Sequence, residues 1–163
     1  MGQLKLTTPS DREIAMTRVF EAPRRLVFDA HTKPDLVKRW LLGPPGWSMP
    51  VCEIDLRVGG KYRYVWRRDT VGTQMGMGGV YRAVVTPERI VNSERFDEAW
   101  YAGEALNTLV LVDKGGRTTL TQTMRYESRE ARDAVLKSDM ESGVAASYDR
   151  LAELLASPSE ATR

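Results

Sequence analysis

Apolar and polar positions alternate with a period of two over short stretches through most of the chain, and only the C-terminal part changes period. Ile14, Met16, Arg18 and Phe20 alternate with Ala15, Thr17 and Val19, which predicts a first strand over 14–20 with one polar break. Ala22-Pro23 stops it, and Pro23 suits the first turn of a helix, where its missing N–H costs nothing. Leu26, Val27 and Ala30 follow at helical spacing. A second short helix opens at Pro34-Asp35, carries Leu36, Val37, Trp40 and Leu41, and is ended by Gly43-Pro44-Pro45-Gly46.

From Trp47 onward the turn signals mark out strands over 47–56, 61–67, 73–85, 90–96, 105–112 and 117–126, separated by Gly59-Gly60, Gly72, Pro87 and Gly115-Gly116. Within the second of these, Tyr62, Tyr64 and Trp66 share one face, and Lys61, Arg63 and Arg67 the other. Strands in sequence with short turns favour an antiparallel meander. The last segment differs. Ser128 is a helix cap with Glu130 in the first turn, and Met140, Val144, Tyr148, Leu151 and Leu155 recur on one helical face. One long helix is expected over 129–156, with Arg132, Lys137, Glu141, Asp149 and Glu153 on its outer side.

That apolar stripe needs a large surface to cover it, and the sheet is the only one available. Gly59, Gly60, Gly76, Gly78 and Gly79 are placed where a twisted sheet would bend. The expected architecture is α+β, of the helix-grip type. A curved antiparallel sheet of six to seven strands wraps round the C-terminal helix, with two short helices between the first two strands. Residues 13–156 form one domain in this reading, between an N-terminal tail (1–12) and a polar C-terminal tail (157–163).

Composition narrows the function. Of the 163 residues, 42% are hydrophobic and 28% charged, a globular balance, and a net charge of +2 without any block of one sign gives no reason to expect nucleic acid. The single cysteine, Cys52, excludes an internal disulfide and falls in an alternating apolar stretch, where an inert thiol is expected. The N-terminus lacks the apolar core of a secretory signal. Leu6 breaks the myristoylation pattern begun by Gly2. The aliphatic run over 109–112 is far below the ~20 residues that cross a bilayer. A cytoplasmic protein without membrane insertion is the expectation.

The order and spacing of several motifs carry a resemblance. Arg18-Val19-Phe20-Glu21-Ala22-Pro23, Val27-Phe28-Asp29-Ala30, Thr32-Lys33-Pro34 and Arg39-Trp40 closely resemble the opening of SRPBCC proteins, the START or birch-pollen-allergen superfamily. The match is to the group like the activator of heat-shock-protein-90 ATPase. It continues through Gly43-Pro44-Pro45-Gly46, Asp55-Leu56-Arg57-Val58-Gly59-Gly60, Gly79-Val80-Tyr81-Arg82, Pro87-Glu88-Arg89-Ile90-Val91 and Gly116-Arg117-Thr118-Thr119-Leu120. The resemblance implies the helix grip and a ligand cavity. Relatives often carry Trp at His31, Trp at Leu41, Glu at Ala83 and Gly-Trp at Gly143-Val144. With Leu41 and Val144 facing inward, as the resemblance implies, the pocket would be roomier or differently shaped.

The expected function is binding of a small apolar or aromatic molecule between sheet and C-terminal helix, without cofactor or metal. Aromatic and methionine side chains give an adaptable apolar lining. Those expected to line it are Trp40, Tyr62, Tyr64, Trp66, Met75, Met77, Tyr81 and Trp100, with Met140, Val144 and Tyr148 from the helix. No catalytic residue is assigned. His31, the only histidine, lacks an assignable partner and reads as a surface or helix-end residue. One His and one Cys do not make an ordinary zinc site. Gly76-Met77-Gly78-Gly79 lies in strands and lacks the spacing of a dinucleotide fingerprint. Arg57, Arg63 and Arg95 are candidates for an inward anion anchor, with the solvent side as the commoner placement. Two alternatives stand beside binding. An enzyme of the same fold, cyclase- or hydrolase-like, requires a convergent polar pair with shifted pKa values in the cavity. A chaperone-regulating, protein-binding module requires a contiguous exposed apolar patch. A strand edge or the first helices also offer a homodimer surface.

Overall fold

The computed structural model describes residues 3–157. In chain order its elements are β1 (Lys5–Thr7), β2 (Glu13–Phe20), α1 (Arg24–Thr32), α2 (Pro34–Trp40), β3 (Trp47–Ile54), β4 (Lys61–Arg68), β5 (Gln74–Val85), β6 (Arg89–Phe96), β7 (Ala105–Lys114), β8 (Arg117–Arg125), α3 (Arg129–Leu136) and α4 (Met140–Leu155). The strands form one curved antiparallel sheet of eight, ordered β1-β2-β8-β7-β6-β5-β4-β3. After β3 each strand pairs with its successor, as a meander requires. β2 closes against β8 in unbroken register from Glu13↔Arg125 to Phe20↔Thr118.

The sheet exceeds the expected six to seven strands by β1, which pairs Lys5↔Thr17, Leu6↔Met16 and Thr7↔Ala15 inside the stretch read as an N-terminal tail. Three residues hold too little alternation to register as a strand, and β2 supplies the hydrogen-bonding edge that orders them. The two short helices therefore sit between β2 and β3. Most of the polar tail expected beyond 156 lies outside the described residues.

The long C-terminal helix is also corrected. It is two helices, α3 and α4, interrupted at 137–139. At the break the Ser138 hydroxyl donates to the Val135 carbonyl oxygen at 2.6 Å, and that carbonyl also accepts from the Ser138 N–H at 3.1 Å. A serine that competes for the backbone in this way disfavours helix continuation. The interruption lets the two pieces serve different cores. Ala131 and Val135 of α3 pack with Ile14, Met16, Tyr101, Ala105, Met124 and Tyr126. Tyr148, Leu151, Leu154 and Leu155 of α4 join the main core with Phe20, Val27, Leu36, Val37, Trp40, Leu111 and Leu120. Arg132, placed on the outer side by periodicity, is buried, and its Nη1 donates to the Ser10 carbonyl at 2.8 Å.

Turn chemistry follows the sequence closely. Gly115 and Gly116 adopt φ of 62° and 82°, the left-handed pair a two-residue hairpin between β7 and β8 requires. Arg18, the polar break in β2, is buried on the inward face. Its Nη1 meets Asp149 of α4 at 2.7 Å, tying strand to helix, and its guanidinium lies 5.3 Å from the Phe20 ring. Among the described residues no helix is long and apolar enough to cross a membrane.

Leu151 is fully buried in the main core, so Leu151→Ala should lower unfolding free energy by about 2–5 kcal/mol. Glu153→Ala, on the exposed side of α4, should change it by less than about 0.5 kcal/mol. Urea denaturation of both variants checks that the stripe, and not the helix as such, carries the stability.

Candidate functional site

A cavity of about 620 Å³ lies between the inner face of the sheet and α4. Strand alternation builds its floor: Tyr62, Tyr64 and Trp66 from β4, Met75, Met77 and Tyr81 from β5, and Ile90, Asn92, Glu94 and Phe96 from β6. Asn107 and Leu109 of β7 and Gln122 and Met124 of β8 continue it. Met140, Val144 and Tyr148 of α4 form the roof, His31 and Trp40 one end, and Trp100, Tyr101 and Tyr126 another part of the wall. The lining residues that are also solvent-exposed are Pro44, Met75, Trp100 and Asp139. They place the mouth between the loop after α2, the start of β5, the β6–β7 loop and the α3–α4 junction.

All eleven side chains singled out from the sequence lie on this wall. Trp40 is pinned from three sides. Its indole N–H donates to the Ala30 carbonyl at 2.8 Å, its ring stacks on Tyr148 at 5.8 Å, and His31 meets it edge-on at 4.8 Å. The indole N–H of Trp66 donates to the Leu41 carbonyl at 2.7 Å, so the loop after α2 is anchored on β4. Tyr62 donates to the Ser93 carbonyl at 2.6 Å and accepts from the Asn92 amide at 3.0 Å. Tyr148 donates to Gln122 at 2.7 Å. These hydroxyls are spoken for within the protein, which leaves the rings as rigid apolar surface. Leu41 and Val144 both line the cavity, the inward placement that the resemblance implied.

Two groups differ from expectation. His31 stands in the last turn of α1, in keeping with a helix-end residue, but is half-buried and turned into the cavity wall and not out to open solvent. Its Nδ1–H donates to the Val27 carbonyl at 2.8 Å, its Nε2 is buried without a partner, and burial pushes its pKa down to about 4. Glu94 was not among the expected lining residues. Its carboxyl has no hydrogen bond or ion pair among the described residues, and burial alone raises its pKa to about 7. A sequence signal for it existed: β6 alternates Ile90, Asn92, Glu94 and Phe96 on one face, so two polar residues stand in phase between two apolar ones. Asn107, opposite Asn92 on β7 and on the same cavity floor, has a buried Oδ1 without a partner. The arginines considered as anchors do not line the cavity. Arg57 pairs with Asp55 at 3.0 Å, Arg63 with Asp97 at 2.6 Å, and Arg95 is exposed on the opposite face. Cys52 packs against the main core, and burial pushes its thiol up to about 11, in keeping with an inert role. Among the described residues no group of three or more His, Cys, Asp or Glu is arranged to hold a metal ion.

The two shifted groups act on stability with opposite sign. Glu94 titrates at about 7 instead of its ordinary 4.5, so the stability tied to its neutral form is complete below pH 4.5 and lost as pH rises through 7. His31 titrates at about 4 instead of 6.5, so its contribution is complete above pH 6.5 and lost as pH falls through 4. Glu94→Gln removes the first effect. Its unfolding free energy relative to wild type should be flat below pH 4.5 and climb by up to about 3 kcal/mol by about pH 8. Urea titrations at several pH values measure this, and a pH-independent difference would contradict a desolvated carboxyl.

The sequence model for the family described as activator of Hsp90 ATPase homolog 1-like protein matches residues 21–156. A crystal structure of a protein from Rhodobacter sphaeroides is 32% identical over 95% of this chain and 99% of its own, with a TM-score of 0.89. A protein from Chromobacterium violaceum is 29% identical over 88% and 96%, with a TM-score of 0.76. An AHSA1-like protein from Aeromonas hydrophila, 17% identical over 85% and 91%, shares the fold at a TM-score of 0.68. No curated protein matches the chain in sequence. With the family model spanning both short helices, six of the eight strands (β3 to β8) and the C-terminal helices, the chain belongs to the activator of Hsp90 ATPase homolog 1-like family, in keeping with its SRPBCC motifs.

Proposed function

We propose that this protein binds a small, largely apolar molecule in the cavity between sheet and α4, gripped by the sheet's curvature. The observation that supports this most is the cavity itself. At about 620 Å³ it falls within the ~300–1,000 Å³ usual for small-molecule sites. Its wall is mainly aromatic and methionine, with a few polar groups gathered on the β6–β7–β8 floor. Binding would bury the ligand's apolar surface against rings already fixed by their own hydrogen bonds, so little side-chain ordering remains to oppose it.

An enzyme of the same fold is the second reading, and Glu94 is the observation in its favour, since a carboxyl titrating near neutrality suits general acid–base work. It lacks a hydrogen-bonded partner that would orient it, so binding is preferred. For the protein-binding alternative, the exposed large apolar residues away from the cavity mouth, Val58, Val71, Val85, Val112 and Leu136, stand in five separate parts of the chain and do not single out one docking face, while Met75 and Trp100 line the mouth itself.

A thermal-shift screen with tryptophan quenching tests the proposal. A ligand at ~100 times its Kd should stabilise the fold by about 2.7 kcal/mol. Val144→Trp, which fills space under α4, should weaken any such ligand at least about ten-fold while the protein stays folded. Unaltered binding by that variant would place the ligand elsewhere.

A further inference from the structure

The floor of the cavity carries an asymmetry of charge that the apolar reading does not use. Among the described residues that line it there is no lysine or arginine. The charged residues on the wall are Glu94 at the floor and Asp139 at the mouth, both acidic. His31, the one basic side chain among these lining residues, is kept neutral by burial. An anionic ligand would therefore meet no counter-charge inside.

Glu94 lies on β6 in the stretch between the Gly78↔Arg95 and Tyr81↔Asn92 pairs with β5. Of the two β5 residues in that stretch, Gly79 and Val80, the first carries no side chain, and a Cβ there would run into the Ser93 carbonyl. Asn107 stands one strand away, paired with Asn92, to which its amide donates at 3.3 Å. Its Oδ1 is a buried acceptor without a donor. Two acceptors without protein donors thus share one floor, and a hydrogen-bond donor is the chemistry both lack. The titratable groups that face Glu94 are Tyr62 and Tyr64 on β4, Tyr101 in the β6–β7 loop and Tyr126 after β8, all raised by burial and so neutral at physiological pH. Their rings add π faces to which a cation is attracted.

Resting on the cavity-binding reading above, we propose that the ligand is an amphipathic amine, whose apolar body fills the aromatic and methionine wall and whose ammonium group sits on the Glu94 carboxylate and Asn107 Oδ1. A primary ammonium carries three donors and one positive charge. It satisfies both acceptors and neutralises a carboxylate whose desolvation the fold already bears. An alcohol of the same shape supplies one donor and no charge. Asp139 at the mouth adds attraction for an incoming cation.

A matched series separates head from tail: 4-phenylbutylamine, 4-phenylbutanol and 4-phenylbutyrate, each titrated into wild type and Glu94→Gln by calorimetry at pH 8 and pH 5.5. At pH 8 the amine should bind wild type at least about ten-fold tighter than the alcohol, and the butyrate should bind weakest. The amine's advantage should shrink at pH 5.5, where Glu94 is protonated, and vanish at both pH values in Glu94→Gln, with alcohol affinity little changed. Equal or tighter binding of alcohol or butyrate at pH 8 overturns the head-group assignment and leaves cavity binding standing. An amine preference that survives Glu94→Gln overturns it as well. If none of the three binds wild type, but a screened apolar ligand does, the assignment falls alone; if no ligand of any class binds, both fall together.

Discussion

The Tyr148 ring sets how α4 stands above the sheet. It packs edge-on to Phe20 of β2 at 5.7 Å and stacks on Trp40 of α2 at 5.8 Å, while its hydroxyl reaches Gln122 of β8 at 2.7 Å. One side chain of α4 thus ties that helix to the neighbouring strands β2 and β8 and to the short helix α2. The contact is demanding, because a ring wedged between two others cannot slide without losing one of them. Leu151, Leu154 and Leu155 extend the same packing toward the C-terminal end of α4. Toward its N-terminal end the helix runs over Val144 and Met140, which are only partly buried, and there the cavity opens.

The cavity follows from this uneven packing. A solid core would need large side chains at Leu41 and Val144, and neither is large. The interruption at 137–139 matters equally. A straight helix from Arg129 would carry one stripe against one surface, whereas the break lets α3 close the smaller core around Met124 and Tyr126. The α3–α4 junction then borders the mouth, with Asp139 exposed on its rim.

Polar groups inside the cavity divide into the satisfied and the unsatisfied. Tyr62, Asn92, Gln122 and Tyr148 spend donors and acceptors on one another or on the backbone, and so stiffen the lining. Glu94, the Asn107 Oδ1 and the His31 Nε2 do not. Unpaired buried polar atoms cost stability in the protein alone. Glu94 and Asn107 share the floor and His31 stands at one end, so the specificity the cavity has to offer is acceptor-rich and acidic.

The sequence alone determined the α+β class, the strand meander, the two short helices and the family, because each rests on local periodicity, turn residues and motif spacing. Alternation in β4 and β5 was enough to gather the aromatic and methionine wall, since residues two apart share a face whatever the sheet does next. It also held the Asn92–Glu94 phase in β6, although a polar pair in a strand reads as an outer face until the neighbouring strands are known. Only the tertiary structure decided the rest. β1 is a strand because β2 offers it an edge. The C-terminal helix is two because two cores compete for its stripe. Arg132 and the Nε2 of His31 are buried because elements distant in sequence close over them. Glu94 is a desolvated acid, and not a solvated one, because it faces Tyr62, Tyr101 and Tyr126 from three separate segments, and desolvation depends on what surrounds a group in space rather than on its neighbours along the chain.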